Sequence, residues 1–162
     1  MCGLTEGREH VPLQYGVRKE LNDELNEVIL SYAYDFCDIY RYPVSHPLGR
    51  HPLKLTNLNN WINIQNAGEY VGNHVHDGII SYTIWLKIPK VEQKDQASFW
   101  FNYSNTVGNV MHHEIKLDQD YVGKILIFPS LLEHTVYPFY NTSETRFSIS
   151  GNVAYDIGSK TA

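Results

Sequence analysis

Two separated stretches decide the fold of this chain: Gly68-Glu-Tyr-Val-Gly-Asn-His74-Val75-His76-Asp77 and Gly123-Lys-Ile-Leu-Ile-Phe-Pro129-Ser-Leu-Leu-Glu-His134. Side chains alternate between the two faces of an extended strand, so His74 and His76 would share one face of a sheet. The second stretch adds His134 after an apolar strand and a turn. In a closed β-structure, three such histidines could hold a metal on one side and leave its other positions open. The pattern predicts a metalloenzyme of the non-haem iron type.

The composition is that of one globular domain spanning residues 1–162, with 43% apolar residues and a formal net charge of −5. No apolar run approaches the length that spans a bilayer, and the N-terminus lacks the pattern of a secretory signal. Cys2 and Cys37 are the two cysteines, which fits a reducing compartment. We therefore expect a cytoplasmic protein without membrane association. The acidic balance argues against nucleic-acid binding as the main function, and a homodimer stays open.

The hydrophobic period changes once along the chain. From about residue 17 to 40 it is helical, and the apolar stripe is Val17, Leu21, Leu25, Val28, Tyr32 and Phe36. From about residue 56 to 157 it has the period of strands, which we predict at 60–65, 81–88, 97–103, 112–117, 124–128, 134–139 and 145–155. One helix followed by many short strands predicts a sandwich or barrel with the helix packed outside.

The last predicted strand carries an unusual polar face. Arg146, Ser148 and Ser150 fall on one side, and Phe147 and Ile149 fall on the other. The polar side could face solvent, or it could line a polar cavity inside a barrel. The pattern alone leaves both interpretations open.

Taken together, these residues resemble the Fe(II)/2-oxoglutarate-dependent oxygenases, and are most similar to a small phage and marine-bacterial branch distantly like prolyl hydroxylases. The resemblance covers about residues 60–155 and is carried by Trp61-Ile-Asn63, Gly68, His74-Val-His76, Ser81, Gly123-Lys-Ile-Leu-Ile-Phe-Pro-Ser130, His134 and Arg146-Phe-Ser-Ile-Ser150. It implies a mainly β protein whose core is a double-stranded β-helix, a jelly-roll or cupin-like barrel. It also implies Fe(II) near one mouth of the barrel, chelated by 2-oxoglutarate.

The resemblance also implies roles for single residues. Arg146 would hold the distal carboxylate of 2-oxoglutarate, with Ser148 alongside, and Asn63 could reach this cosubstrate if its face lines the cavity. The partners would be dioxygen and an unidentified substrate, either a small molecule or a peptide side chain. The loops at residues 41–52 and 104–111 would recognise that substrate.

One departure leaves the ligand set open. Most of this superfamily uses His-x-Asp or His-x-Glu with a distal histidine, whereas here His76 stands in the place of the carboxylate. The period of two favours His76, and Asp77 is the alternative if the chain turns at Gly78. The fragments also resemble the cupin motifs, so a metal-binding cupin without 2-oxoglutarate and a catalytically silent binding module are the alternative functions. Arg146 has no assigned role in a cupin, which favours the oxygenase.

Overall fold

A computed structural model describes residues 11–42 and 54–156. Most of the predicted 41–52 loop lies outside these ranges, as does the N-terminal segment that contains Cys2. Within these ranges, nine strands and one α-helix follow each other in the order β1 (Leu13–Gly16), α1 (Lys19–Ile39), β2 (Lys54–Gln65), β3 (Val71–His74), β4 (Ile80–Lys87), β5 (Ser98–Ser104), β6 (Val110–Lys116), β7 (Ile125–Pro129), β8 (Glu133–Val136) and β9 (Arg146–Asp156).

The strands form two antiparallel sheets. The larger sheet has the order β1-β2-β9-β4-β7, and the smaller has the order β3-β8-β5-β6. From β2 onward the chain passes repeatedly from one sheet to the other, which is the winding of a double-stranded β-helix. The predicted fold class is therefore confirmed. No helix within the described ranges is both long and apolar enough to cross a membrane.

The helix lies where it was predicted, but only part of the predicted apolar stripe, Leu25 and Phe36, packs against the core. The residues of α1 that are buried are Ile29, Ala33 and Cys37, and they pack in one cluster with residues of the larger sheet. Val28 and Tyr32, which belong to the predicted stripe, remain about half exposed. Apolar residues occur on several sides of this helix, and the small side chains of Ala33 and Cys37 let its backbone approach the sheet closely.

The predicted strands are present with shifted ends, and two short strands were missed. Strand β8 ends at Val136 rather than at residue 139, since Pro138 has no N–H with which to continue the ladder. Strands β1 and β3 have four residues each, which is too short for a period of two to be recognised. Both flank the site described below, β1 at the edge of the larger sheet and β3 at the edge of the smaller one.

Gly151→Ala is expected to destabilise the fold by about 2–3 kcal/mol because it overfills the packing beneath α1. A Cβ at Gly151 would lie 2.6 Å from both the Asn59 carbonyl oxygen and the Tyr82 hydroxyl. Urea denaturation measures the difference. Gly16→Ala is the matched control, because a Cβ at that strand position meets nothing within 4 Å. Equal unfolding free energies for the two variants would contradict this packing.

Candidate metal centre and cosubstrate cavity

Three histidines meet at one end of the barrel. His74 is the last residue of β3 and pairs directly with His134 of β8, so the smaller sheet brings these two rings together. His76 joins them, and the potential ligand nitrogens of the three residues all lie within 4.8 Å of one another. The ring centroids are 4.2 Å apart for His74 and His134, and 5.0 Å apart for His76 and His134. This arrangement can enclose one metal ion.

His76 reaches the cluster by a different route from the one predicted. Strand β3 ends at His74, so the strand alternation expected through His76 is wrong. His76 instead donates its backbone N–H to the Ser130 carbonyl at 3.0 Å, and Gly78 turns the chain with a φ of 97°. Its ring also contacts Trp61, with centroids 5.6 Å apart. A turn, rather than a pleated strand, therefore positions the third imidazole.

Backbone carbonyls orient two of the rings. Nδ1 of His74 lies 2.7 Å from the Gly72 carbonyl oxygen, and Nδ1 of His134 lies 2.9 Å from that of Leu132. A carbonyl accepts only from a protonated nitrogen, so Nδ1–H donates and Nε2 keeps its lone pair for a metal. His134 is also stacked on Phe99 at a centroid distance of 5.2 Å, which restricts its rotation.

Burial keeps two of these rings neutral. It lowers the pKa of His134 to about 3 and, together with the nearby His74, lowers the pKa of His76 to about 4. Neutral imidazole is the form that binds metals, so no proton has to be displaced from either ring at neutral pH. Asp77, the alternative ligand, is exposed and is not among the three residues of the cluster.

A cavity lies between the sheets and is lined by all three histidines. Its polar wall comes from β2 and β9 and consists of Asn63, Gln65, Arg146, Ser148 and Ser150. Its apolar wall consists of Trp61, Trp85, Phe99, Phe128 and Val136. The polar face of β9 thus lines a cavity, which resolves the two interpretations that the sequence left open.

Arg146 is buried in this wall, and its hydrogen-bond partners among the described residues are neutral. Its side chain is 2% exposed, Nε donates to Gln65 Oε1 at 3.0 Å, and Nη2 donates to the same oxygen and to the Tyr137 carbonyl at 3.3 Å. Nη1 has no hydrogen-bond partner in the described part of the chain. Burial lowers the pKa of Arg146 to about 9, so the group is still cationic at neutral pH. A buried cation with a free donor fits an anionic ligand.

The other two predicted cosubstrate residues lie in the same wall. Ser148 is two residues beyond Arg146, on the same face of β9. Asn63 donates to the hydroxyls of Ser148 at 3.3 Å and Ser150 at 3.1 Å, and accepts from Gln14 at 2.9 Å. The amide of Asn63 therefore links β1, β2 and β9 and holds the wall together.

Two contacts of the wall were not predicted. Gln65 and the Tyr137 carbonyl hold the Arg146 guanidinium. The signal for Gln65 was present in the sequence, since it shares a strand face with Trp61 and Asn63. The carbonyl of Tyr137 gave no signal, because any residue type could supply it.

A wider groove lies outside the histidines. It is lined by Tyr15, Trp61, Val75, Asp77 and Leu131 among others, and His74 and His76 contribute to both the groove and the inner cavity. Val75 and Leu131 are largely exposed there. The site therefore has an inner compartment, with one polar and one apolar wall, and an outer mouth, and the two meet at the histidines.

Comparison with known proteins agrees with this geometry. The family model described as "Putative 2OG-Fe(II) oxygenase" matches residues 59–152, more than half of the chain. A prolyl-4-hydroxylase structure from Pseudomonas putida is 12% identical, with a TM-score of 0.55 over 87% of this chain and 71% of that one. An oxidoreductase of the 2OG-Fe(II) oxygenase family from Burkholderia pseudomallei is 14% identical, with a TM-score of 0.50 over 65% of this chain and 47% of that one.

The two structures share the fold with this chain, which spans about half the length of the Burkholderia protein. Comparison with curated proteins found no match. The family match covers β9 through Asn152 and all three histidines of the cluster. The chain therefore belongs to the 2OG-Fe(II) oxygenase family.

Proposed function

We propose that this protein is an Fe(II)/2-oxoglutarate-dependent oxygenase that hydroxylates its substrate. His74, His76 and His134 would hold the iron, and Arg146 would bind the distal carboxylate of 2-oxoglutarate with Ser148 alongside. One observation carries the proposal: a cluster of three histidines lines the same cavity as a buried arginine that has no carboxylate partner among the described residues. A metal-binding cupin without 2-oxoglutarate would have no use for this arginine.

The residues fit both groups. Three imidazole nitrogens suit divalent iron and leave positions on the metal for other ligands. The free Nη1 of Arg146 suits a carboxylate, because a charge-assisted hydrogen bond there would relieve the cost of a buried, unpaired donor. When bound, iron and 2-oxoglutarate together supply the oxidation: dioxygen is consumed, the oxo acid loses carbon dioxide to become succinate, and a substrate C–H becomes C–OH.

The chain itself would supply binding, orientation and exclusion of water. Arg146 would fix the far end of the cosubstrate, since a planar guanidinium holds a carboxylate directionally. The aromatic side chains of Trp85, Phe99 and Phe128 would keep the inner compartment dry. The outer groove would admit the substrate, a small molecule or a peptide side chain, to the open side of the histidine cluster.

Succinate formation tests this function. With Fe(II), 2-oxoglutarate and air, the wild-type protein is expected to release succinate slowly even without its substrate. His134→Ala removes one of the three proposed iron ligands. This variant should release succinate at least about tenfold more slowly, because the two remaining histidines hold and orient the iron less well. His113→Ala is the matched control, since that histidine is exposed on β6, outside the cluster.

The measurement also identifies the alternatives. Binding of iron and 2-oxoglutarate without succinate, with any candidate substrate, would indicate a catalytically silent binding module. Binding of iron without any binding of 2-oxoglutarate would indicate a metal-binding cupin.

A further inference from the structure

The Arg146 guanidinium is hydrogen-bonded to the side-chain amide of Gln65, whereas a buried arginine is usually paired with a carboxylate. Gln65 lies directly opposite Arg146 in the ladder of β2 and β9, and it is 3% exposed. Its Oε1 accepts hydrogen bonds from both Nε and Nη2 of Arg146. Its Nε2 donates to the Glu69 carbonyl, so the amide itself is held in one orientation.

These contacts leave one side of the guanidinium free. Arginine has five N–H donors, one on Nε and two on each Nη. Gln65 and the Tyr137 carbonyl engage Nε and Nη2, whereas Nη1 has no partner among the described residues. Since the guanidinium is rigid and planar, holding these two nitrogens also fixes Nη1. An incoming anion therefore meets a donor whose position is already set.

Gln65 also leaves the positive charge of Arg146 uncompensated. Glutamate has nearly the same shape as glutamine, but at this position it would form an internal ion pair with Arg146. No Asp or Glu is among the described residues that line the cavity. Apart from the Phe139 ring, whose centroid lies 5.7 Å from the guanidinium carbon, no described group of the cavity offsets the charge, which is therefore available to an anionic ligand.

We propose that Gln65 is a positioning residue that gives this cavity its selectivity for 2-oxo acids with a second carboxylate. The inference rests on the proposed function, because it assumes that a 2-oxo acid occupies the cavity. Gln65 acts through Arg146: it fixes the direction of the free Nη1 and keeps the charge of the guanidinium available.

Gln65→Glu tests the proposal by isothermal titration of the Mn(II)-loaded protein without oxygen. The ligands are 2-oxoglutarate and 2-oxopentanoate, which has the same five-carbon chain but no distal carboxylate. In the wild type, 2-oxoglutarate should bind at least about tenfold more tightly than 2-oxopentanoate, because only 2-oxoglutarate pairs with Arg146. In Gln65→Glu the ratio of the affinities for 2-oxoglutarate and 2-oxopentanoate should approach one. The affinity for 2-oxopentanoate itself should change by less than about threefold.

Two further variants separate charge from packing. Gln65→Met removes the hydrogen bonds and adds no charge, so the ratio should fall only partly. Gln96→Glu is the matched control, because Gln96 donates to the Leu117 carbonyl and does not line the cavity. Its ratio should equal that of the wild type. If Gln65 had a purely structural role, its replacement would weaken the binding of both ligands equally and leave the ratio of their affinities unchanged.

Nuclear magnetic resonance of the wild type, with Zn(II) as metal, keeps the proposal testable if a Gln65 variant fails to fold. The Arg146 Nε–H should be protected from solvent exchange before and after addition of 2-oxoglutarate, and the Nη1 signals should shift more than the Nε signal. Rapid exchange of Nε–H, or an unchanged binding ratio in Gln65→Glu, would overturn the role of Gln65 alone. A wild type that binds no 2-oxoglutarate would overturn the proposed function as well.

Discussion

Arg146→Ala is expected to weaken the binding of 2-oxoglutarate by at least about thirtyfold. The loss corresponds to about 2–5 kcal/mol, the usual cost of removing one partner of a buried, charged pair. The magnitude follows from burial: Arg146 is 2% exposed, so water screens little of its attraction for a carboxylate. Isothermal titration of the Mn(II)-loaded protein without oxygen measures the affinity.

Two variants make this result specific. Arg146→Lys keeps the charge but has no planar fork, so it should bind 2-oxoglutarate with an affinity between those of the wild type and Arg146→Ala. Arg18→Ala removes an exposed cation just before α1 and should leave the affinity unchanged. Equal affinities for the wild type and Arg146→Ala would remove the main support for a 2-oxoglutarate site in this cavity.

Strand periodicity was sufficient to group the polar residues that form one wall of the cavity. The alternation around Asn63 and along β9 assigned Arg146 and Ser148 to one polar face, and this face lines the cavity. Such predictions succeed because the side chains of a strand alternate wherever its backbone is regular. The sequence could not decide whether this polar face pointed to solvent or into a cavity, since this depends on where the second sheet lies.

The features that sequence reasoning missed depend on contacts between distant parts of the chain. His76 lies in a turn beyond β3, held by a backbone hydrogen bond to Ser130, and no local periodicity describes such a turn. The buried side of α1 is chosen by the shape of the sheet beneath it. The role of Gln65 requires the register of β2 against β9, a pairing across 81 residues.

If the three histidines hold the iron, as proposed, their charge has a consequence for its oxidation. Three neutral imidazoles carry one negative charge fewer than two histidines and a carboxylate, the usual set in the superfamily that the sequence resembles. The site then has less negative charge with which to stabilise an oxidised metal. Slow turnover without substrate is therefore expected if His76, rather than Asp77, is the second ligand.

His76→Ala is expected to weaken metal binding by at least about a hundredfold, because even residues that only orient a ligand contribute ten- to a hundredfold to affinity. Asp77→Ala should leave most of the binding intact, since Asp77 is exposed and is not one of the three clustered residues. Titration with Mn(II) or Co(II) under anaerobic conditions measures both affinities. The two variants are adjacent in the chain, so a general disturbance of the turn would affect them alike.

The difference between the two variants, rather than either result alone, identifies the ligand. Loss of metal in Asp77→Ala with retention in His76→Ala would indicate that two histidines and the Asp77 carboxylate bind the metal. The chain at Gly78 would then have to rearrange when the metal binds. Loss in both variants would point to a collapsed turn, and their thermal unfolding without metal would reveal it. Loss in His76→Ala alone assigns three imidazoles to the metal, because His76 and Asp77 differ in one respect that matters here: only His76 directs its side chain towards His74 and His134.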